Sequence, residues 1–200
     1  MSENDDFSGH GEIRDAVRAL CSGFDDAYWA DLDRRSAYPS DFVTALTEAG
    51  FLAALIPEAY GGSGLPLSAA AAIMEEIQLS GCNGAACHAQ MYIMGILLRH
   101  GSDEQKSRFL PKIAGGGLRL QAFAVTEPES GTDTASLSTT ATLEGDHYVV
   151  HGHKIWTSRA EHSDLMIILA RTSAMDEGAK RTDGLSVLLL DMRGAKGLTI

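Results

Sequence analysis

The chain has 200 residues, 44% hydrophobic and 22% charged, an ordinary globular balance that can bury a core. Its net charge of −11 comes from 27 acids and 16 bases, and residues 1–60 alone hold 12 acids against 4 bases. No apolar run approaches the roughly 18 residues of a membrane span, and no basic stripe suits a nucleic-acid backbone. The acidic opening MSENDDFSGHGE lacks the basic and apolar regions of a secretory signal and argues against a mitochondrial one. Three cysteines, Cys21, Cys82 and Cys87, form an odd set that points to a reducing compartment, taken as cytoplasmic, without a disulfide framework.

The first half reads as helices. Ile13, Ala16, Val17 and Leu20 make one buried stripe. Tyr38-Pro39-Ser40 opens a second helix, with Phe42, Leu46 and Ala49 at helical spacing and Gly50 as its stop. Leu55 to Gly62 is turn-rich. A helix is predicted from Leu67 to Ser80, interrupted by Gly81-Cys82-Asn83-Gly84. Another runs from Ala85 to Arg99, apolar on most faces and so central in a bundle. Ser102-Asp103-Glu104-Gln105 has the pattern of a capping box for a helix from Asp103 to about Pro111, followed by Gly115-Gly116-Gly117.

After Leu118 the pattern turns to strands: Leu120–Val125, the Thr-rich Ser138–Leu143, Tyr148–Val150 after a turn at Glu144-Gly145-Asp146, Ile155–Thr157, Leu165–Ala170 and Leu185–Leu190. Thr172 to Asp183 is a polar surface loop. Gly197–Ile200 reads like the middle of a strand, so a downstream region is expected. Helices followed by strands mean an α+β chain. The expected layout is an all-α bundle over 1–118, then a β-barrel or sandwich-like unit over 119–200, incomplete at its C-terminal end.

Two segments carry chemistry. The loop from Ala124 to Thr134 gathers hydroxyls, a proline and one glycine after a strand. It has the groups to hold a phosphate or the polar edge of a heterocycle, although turn chemistry alone also explains it. It lacks the glycine spacing of a Walker or dinucleotide loop. The run Gly152–Ala160 contains Trp156 followed by Thr157 and Ser158, a flat apolar wall with hydrogen-bonding groups. Taken alone, Trp156 reads first as a core residue. His147, His151 and His153 are read as solvated turn histidines over zinc ligands, and Cys82 and Cys87 as small core residues. Met91 and Met94 fit helix-core packing. No metal site is expected.

Together these segments resemble the acyl-CoA dehydrogenase family of flavoproteins. The resemblance rests on Phe123-Ala124-Val125-Thr126-Glu127-Pro128 with Gly131-Thr132-Asp133, and on Asp146 to Ser158 with Ser163-Asp164 and Ala170-Arg171-Thr172. Pro57 to Gly62 and Gly101 to Lys106 agree more weakly. The resemblance implies an N-terminal helical domain, a middle β-domain and a C-terminal four-helix domain absent from these residues. It implies FAD as cofactor, with Phe123, Ala124, Val125, Thr126, Thr132, Trp156, Thr157 and Ser158 at the flavin. Thr126 would bond the pyrimidine edge and Ser158 would lie near N5. Thr132, where relatives often carry serine, would stand between FAD and the acyl-CoA substrate. His151 takes a place where asparagine is common, and a positive-φ turn is expected there. The implied reaction is α,β-desaturation of an acyl-CoA thioester, with electrons passing to an electron-transfer flavoprotein. The base is a glutamate of the missing domain, so no catalytic residue is assigned here, and Glu127 has a structural or cofactor-proximal role. Residues 82–98, with Ala85, Ala86 and Ala89, would line the acyl cavity. A homo-oligomer, tetramer or dimer, is implied for the complete protein. The alternatives are a non-catalytic half-site subunit and a related flavin monooxygenase or oxidase. Thr139 is expected to stand outside both motifs.

Overall fold

The computed structural model describes residues 10–174, 178 and 180–200. The acidic leader at 1–9 and part of the predicted 172–183 loop lie outside the described residues. The chain divides into two compact units, one ending at Arg119 and the other spanning Leu120–Ile200.

The first unit is helical: α1 Gly11–Cys21, α2 Asp26–Arg35, α3 Ser40–Glu48, α4 Leu67–Leu79, α5 Ala85–His100 and α6 Asp103–Ala114. Val17 and Cys21 bury the stripe of α1 in a core shared with Phe42, Leu46, Ile73, Ile77 and Met91. Across the partly exposed rim, Arg18 Nε donates to Glu76 at 2.8 Å and Arg14 pairs with Glu75 at 2.5 Å, tying α1 to α4. Helix α2 is absent from the sequence expectation. Its apolar residues, Tyr28, Trp29 and Leu32, are few and set among aspartates and arginines. They are recruited by contacts made far along the chain, with Phe24, Tyr28, Trp29 and Phe42 meeting edge to face at 5.0–5.1 Å.

The eight buried residues of α5 include Ala86, Ala89, Met91 and Met94, so these alanines and methionines serve helix packing. His88 and Tyr92 stack on its open side, centroids 4.9 Å apart. The capping box is present: Ser102 Oγ accepts from Gln105 N–H and Gln105 Oε1 accepts from Ser102 N–H. Helix α6 continues past Pro111 to Ala114. The proline removes one intrahelical bond, but Leu110 and Ile113 on either side of it are fully buried. The last turn is then closed by Gly115 N–H to Pro111 O at 3.0 Å and Leu118 N–H to Lys112 O at 3.1 Å.

The second unit is one five-stranded mixed sheet: β1 Leu120–Ala124, β2 Thr140–Glu144, β3 His147–His151, β4 Leu165–Arg171 and β5 Leu185–Asp191. Strand β4 is central. It pairs in parallel with β1 and antiparallel with β5, and its end meets β2 at Arg171–Thr140. Its first four residues are buried, as a near-continuous apolar strand inside a sheet requires. The β2–β3 hairpin turns through Gly145 at φ +65.

Four expectations change here. Strand β2 begins at Thr140 and not at Ser138, because the Ser138 and Thr139 N–H groups go to the Glu127 carboxylate. Ile155–Thr157 form no strand: Ile155 N–H is taken by Thr126 O, and Trp156 has φ +59. His151 ends β3 opposite Thr140, and its φ is not positive. Residues 198–200 form no strand, following a turn with Gly197 at φ +76 and pairing with no strand among the described residues.

Candidate functional site

Where β1 ends, the chain turns sharply. Glu127 and Ser130 exchange backbone hydrogen bonds of 3.0 and 3.2 Å around Pro128-Glu129. This aims the Glu127 side chain inward, where it is 2% exposed. Its carboxylate accepts from Ser138 N–H at 2.6 Å, Ser138 Oγ at 2.7 Å, Thr139 N–H at 3.0 Å and Lys154 Nζ at 2.8 Å. Burial alone would push this carboxyl up. The Lys154 ammonium and the surrounding donors outweigh burial and hold it well below the usual carboxylate range. Lys154 also donates to Val125 O at 3.0 Å, so one ammonium ties the strand end, the turn and the 152–158 segment together.

Gly152 makes this approach possible. A Cβ there would lie 2.2 Å from Thr139 Oγ1 and 2.8 Å from Thr139 Cα. Thr139 therefore belongs to the site's framework, contrary to the expectation that it stands apart. Beyond Lys154, Ile155 N–H donates to Thr126 O at 2.9 Å. Trp156 follows in the left-handed region at φ +59 and is 84% exposed. That overturns the core reading of this tryptophan. A bulky residue with positive φ costs on the order of 1–3 kcal/mol and persists only where its surroundings fix it. Here Ile155 is held on one side. On the other, Arg159 at φ +58 leads into a short 3-10 turn whose Ala160 packs with Ala122, Ala124, Met166 and Ile168.

The sequence-named residues divide accordingly. Ala124 is buried at the strand end, while Phe123, Val125, Thr126 and Thr157 are half-buried and Ser158 is exposed. Thr126 and Trp156–Ser158 share one platform through the Ile155–Thr126 bond. Thr132 is exposed farther along the loop and is not joined to that platform by a hydrogen bond among the described residues. Its segment is shaped by Ser130 Oγ donating to Asp133 O at 2.6 Å and by Arg171 donating to Ala135 O at 3.0 Å. The Arg181 guanidinium, 2.5 Å from Asp133, holds that carboxyl below its usual range.

The Lys154–Glu127 pair is the feature the sequence reading did not identify as a unit. No local signal singled it out, because the loop from Ala124 to Thr134 also carries Glu129 and Asp133 and the run Gly152–Ala160 also carries Arg159. His147, His151 and His153 are exposed, and no group of three or more metal-ligating side chains occurs among the described residues. The three cysteines are free and buried, and burial pushes the thiols of Cys21 and Cys87 up to about 12. No helix among the described residues is long and apolar enough to cross a membrane.

Residues 8–117 match the family described as acyl-CoA dehydrogenase, N-terminal domain, and residues 122–200 match its middle domain. The chain belongs to the acyl-CoA dehydrogenase family. A probable acyl-CoA dehydrogenase of Mycobacterium tuberculosis, FadE25, is 33% identical over 193 residues, which is 96% of this chain and 48% of that protein. The acyl-CoA dehydrogenase from Geobacillus kaustophilus superposes with a TM-score of 0.82 at 28% identity, covering 92% of this chain and 49% of that one. The prolyl acyl carrier protein oxidase AnaB gives a TM-score of 0.80 at 27% identity over 96% of this chain and 50% of its own. The chain thus spans about half the length of these acyl-CoA dehydrogenase relatives.

Proposed function

We propose that these residues form the helical and β portions of a FAD-dependent acyl-CoA dehydrogenase acting on the α and β carbons of an acyl-CoA thioester. One observation carries the reading: an exposed tryptophan in a strained backbone conformation, locked to the hydroxyl-bearing loop after β1. An exposed indole flanked by Thr157, Ser158 and Thr126 offers a flat apolar wall beside hydrogen-bonding edges, which fits a flavin ring. Phe123 to Thr126, Thr132 and Trp156 to Ser158 are the residues proposed to hold it. Bound there, FAD supplies the acceptor for the hydride that leaves the β-carbon.

The chain's own residues orient and exclude. With FAD bound, Thr126 would hydrogen-bond the flavin's polar edge, Ser158 would offer its hydroxyl to the ring and Trp156 would keep water from that face. Thr132 would serve the thioester. Glu127 is not the base, because it is buried, ionised and committed to Lys154 and the Ser138–Thr139 backbone. A glutamate beyond these residues takes the α-proton. The complete protein is proposed to be a cytoplasmic homo-oligomer, dimer or tetramer, that passes electrons to an electron-transfer flavoprotein. A second reading, an oxidase on the same scaffold, is favoured by the similarity to AnaB.

The test uses the whole protein that carries this segment. Mixed anaerobically with acyl-CoAs from short to long chain, its visible flavin absorbance should be lost with at least one of them. The matching free acids should leave it unchanged, since a carboxylate's α-proton is far less acidic. Bleaching by free acids, or by no acyl-CoA, would overturn the proposal. Rapid reoxidation by dioxygen with peroxide release would select the oxidase reading.

A further inference from the structure

Thr132 lies in an exposed stretch, residues 131–134, and its hydroxyl makes no hydrogen bond among the described residues. No bond of its own therefore fixes where that hydroxyl stands; the segment around it must do so. Before it, Ser130 is buried and exchanges backbone bonds with Glu127. After it, the chain makes a short 3-10 turn, Thr134–Ser136. Ser130 Oγ donates to Asp133 O at 2.6 Å and Ser136 Oγ donates to Asp133 Oδ2 at 2.8 Å. These bonds close the turn on itself and do not attach it to the sheet.

Two arginines make that attachment. Arg171 ends the central strand β4, where it pairs with Thr140 of β2 and Leu185 of β5. Its half-buried guanidinium donates to Ala135 O at 3.0 Å and to Asp183 O at 3.0 Å. The second, Arg181, pairs with Asp133 and also meets Ser136 Oγ. The side chains of that ion pair are 60% and 54% exposed, and a pair so open to water contributes little and is screened by salt. The Arg171 bonds are charge-assisted and start from a strand paired on both sides, so they decide where the turn sits. Only a planar fork lets one side chain bridge two carbonyls from separate segments.

A free hydroxyl on a segment pinned to the central strand is pre-organised for a ligand. We infer that Arg171 is a positioning residue for the acyl-CoA thioester, acting on Thr132 through the main chain of residues 130–136. The inference rests on the proposed function, in which Thr132 serves the thioester. The flavin platform has its own fastening in the Ile155–Thr126 bond and the Lys154–Glu127 pair, and the Arg171 guanidinium bonds to neither. Arg171 should therefore govern thioester binding and leave flavin retention alone.

The test is a double-mutant cycle in the whole, FAD-loaded protein, with Arg171→Met, Thr132→Val and the two combined. The probe is whichever of butanoyl-, octanoyl- and palmitoyl-CoA bleaches the unaltered protein's flavin most readily. Arg171→Met should raise the half-saturating concentration about fivefold and Thr132→Val about tenfold, with FAD content unchanged. The combined variant should exceed Thr132→Val by no more than about twofold, because the second change removes what the first acts through. Arg171→Lys, which keeps the charge and loses the fork, should fall between native and Arg171→Met, and it can run the same cycle if Arg171→Met fails to fold. Effects that multiply to about fiftyfold, an unchanged half-saturation, or FAD loss in Arg171→Met would each overturn the inference. Hydrogen exchange needs no substrate: Arg171→Met should speed it in residues 130–137 and leave residues 120–126 unchanged. Unchanged exchange in 130–137 would overturn the inference by itself. No bleaching of the unaltered protein by any acyl-CoA would instead defeat the proposed function, and this inference with it.

Discussion

Replacing Lys154 with methionine tests the framework of the site directly. The substitution keeps the apolar stem and removes the ammonium that bridges Glu127 Oε1 and Val125 O. The side chains of the ion pair are 8% and 2% exposed, so Glu127 would remain as a buried charge without its cation. Breaking such a pair costs about 3–5 kcal/mol. The three hydrogen bonds from Ser138 and Thr139 remain, which favours the lower end, about 3 kcal/mol at neutral pH. The pH dependence gives a second, independent reading. In the native protein Glu127 titrates below its ordinary value of 4.5, so its stabilisation is complete above that value and is lost as pH falls toward the depressed one. Each pH unit below 4.5 removes about 1.4 kcal/mol from the native protein while its folded-state carboxyl stays ionised. Without Lys154 the carboxyl moves up, although Ser138 and Thr139 still donate to it, and that loss shrinks. The stability gap between native and variant should therefore narrow, by up to about 2 kcal/mol, between roughly pH 5 and pH 3. The measurement is urea-dependent hydrogen exchange read on β1 and β4, which isolates the second unit from the helical one. A gap under about 1 kcal/mol at neutral pH, or a gap of constant size down to about pH 3, would refute the reasoning.

Gly152→Ala should destabilise the same strands by about 1–3 kcal/mol, since its Cβ would meet Thr139 backbone and side chain; the same exchange experiment reads it, and native-like protection would contradict the close approach. In the whole protein, Trp156→Ala and Ser158→Ala should each weaken flavin retention by on the order of 1–3 kcal/mol, whereas the exposed Thr142→Ala should not. Equal flavin loss in all three would mean unfolding and not a site effect. The 200-residue chain alone should retain FAD weakly or not at all, because few contacts offset the ordering cost; stoichiometric FAD after gel filtration would contradict this.

Legibility followed the range of the interactions. The helix α1, the capping box at Ser102 and the Glu144-Gly145-Asp146 turn depend on residues close in sequence, and each is found where the pattern places it, although in the stripe of α1 Val17 is buried, Ile13 and Leu20 are half-buried and Ala16 is exposed. Helix α2 depends on a ring contact from Trp29 to Phe42 and on the Phe42 N–H donating to the Tyr28 hydroxyl, both beyond its own last turn, and local periodicity missed it. The same limit applies to Ile155–Thr157. Isoleucine, tryptophan and threonine favour a strand locally, yet a bond to Thr126 and a positive φ decide otherwise. The chemistry of both motifs was readable as residue types. Their union was not, because the Lys154–Glu127 contact spans 27 positions and nothing local announces it.

That contact and the conformation of Trp156 belong to one physical arrangement. Exposing an indole at 84% in the left-handed region is unfavourable in two ways, through hydrophobic surface left in water and through backbone strain. Neither cost is offset by anything the tryptophan side chain itself buries. The compensation comes from its neighbours: Lys154 in its buried ion pair, Ile155 on Thr126 and Ala160 in the sheet's apolar layer. A structural tryptophan would have no reason to be held outward in this way. A surface reserved for a flat ligand would, because the indole must be presented before the ligand arrives and must not collapse onto the sheet in its absence. Loss of the Lys154 ammonium should therefore be felt at Trp156, two residues away, as well as in the strands, and that linkage separates a presenting framework from a merely stabilising ion pair.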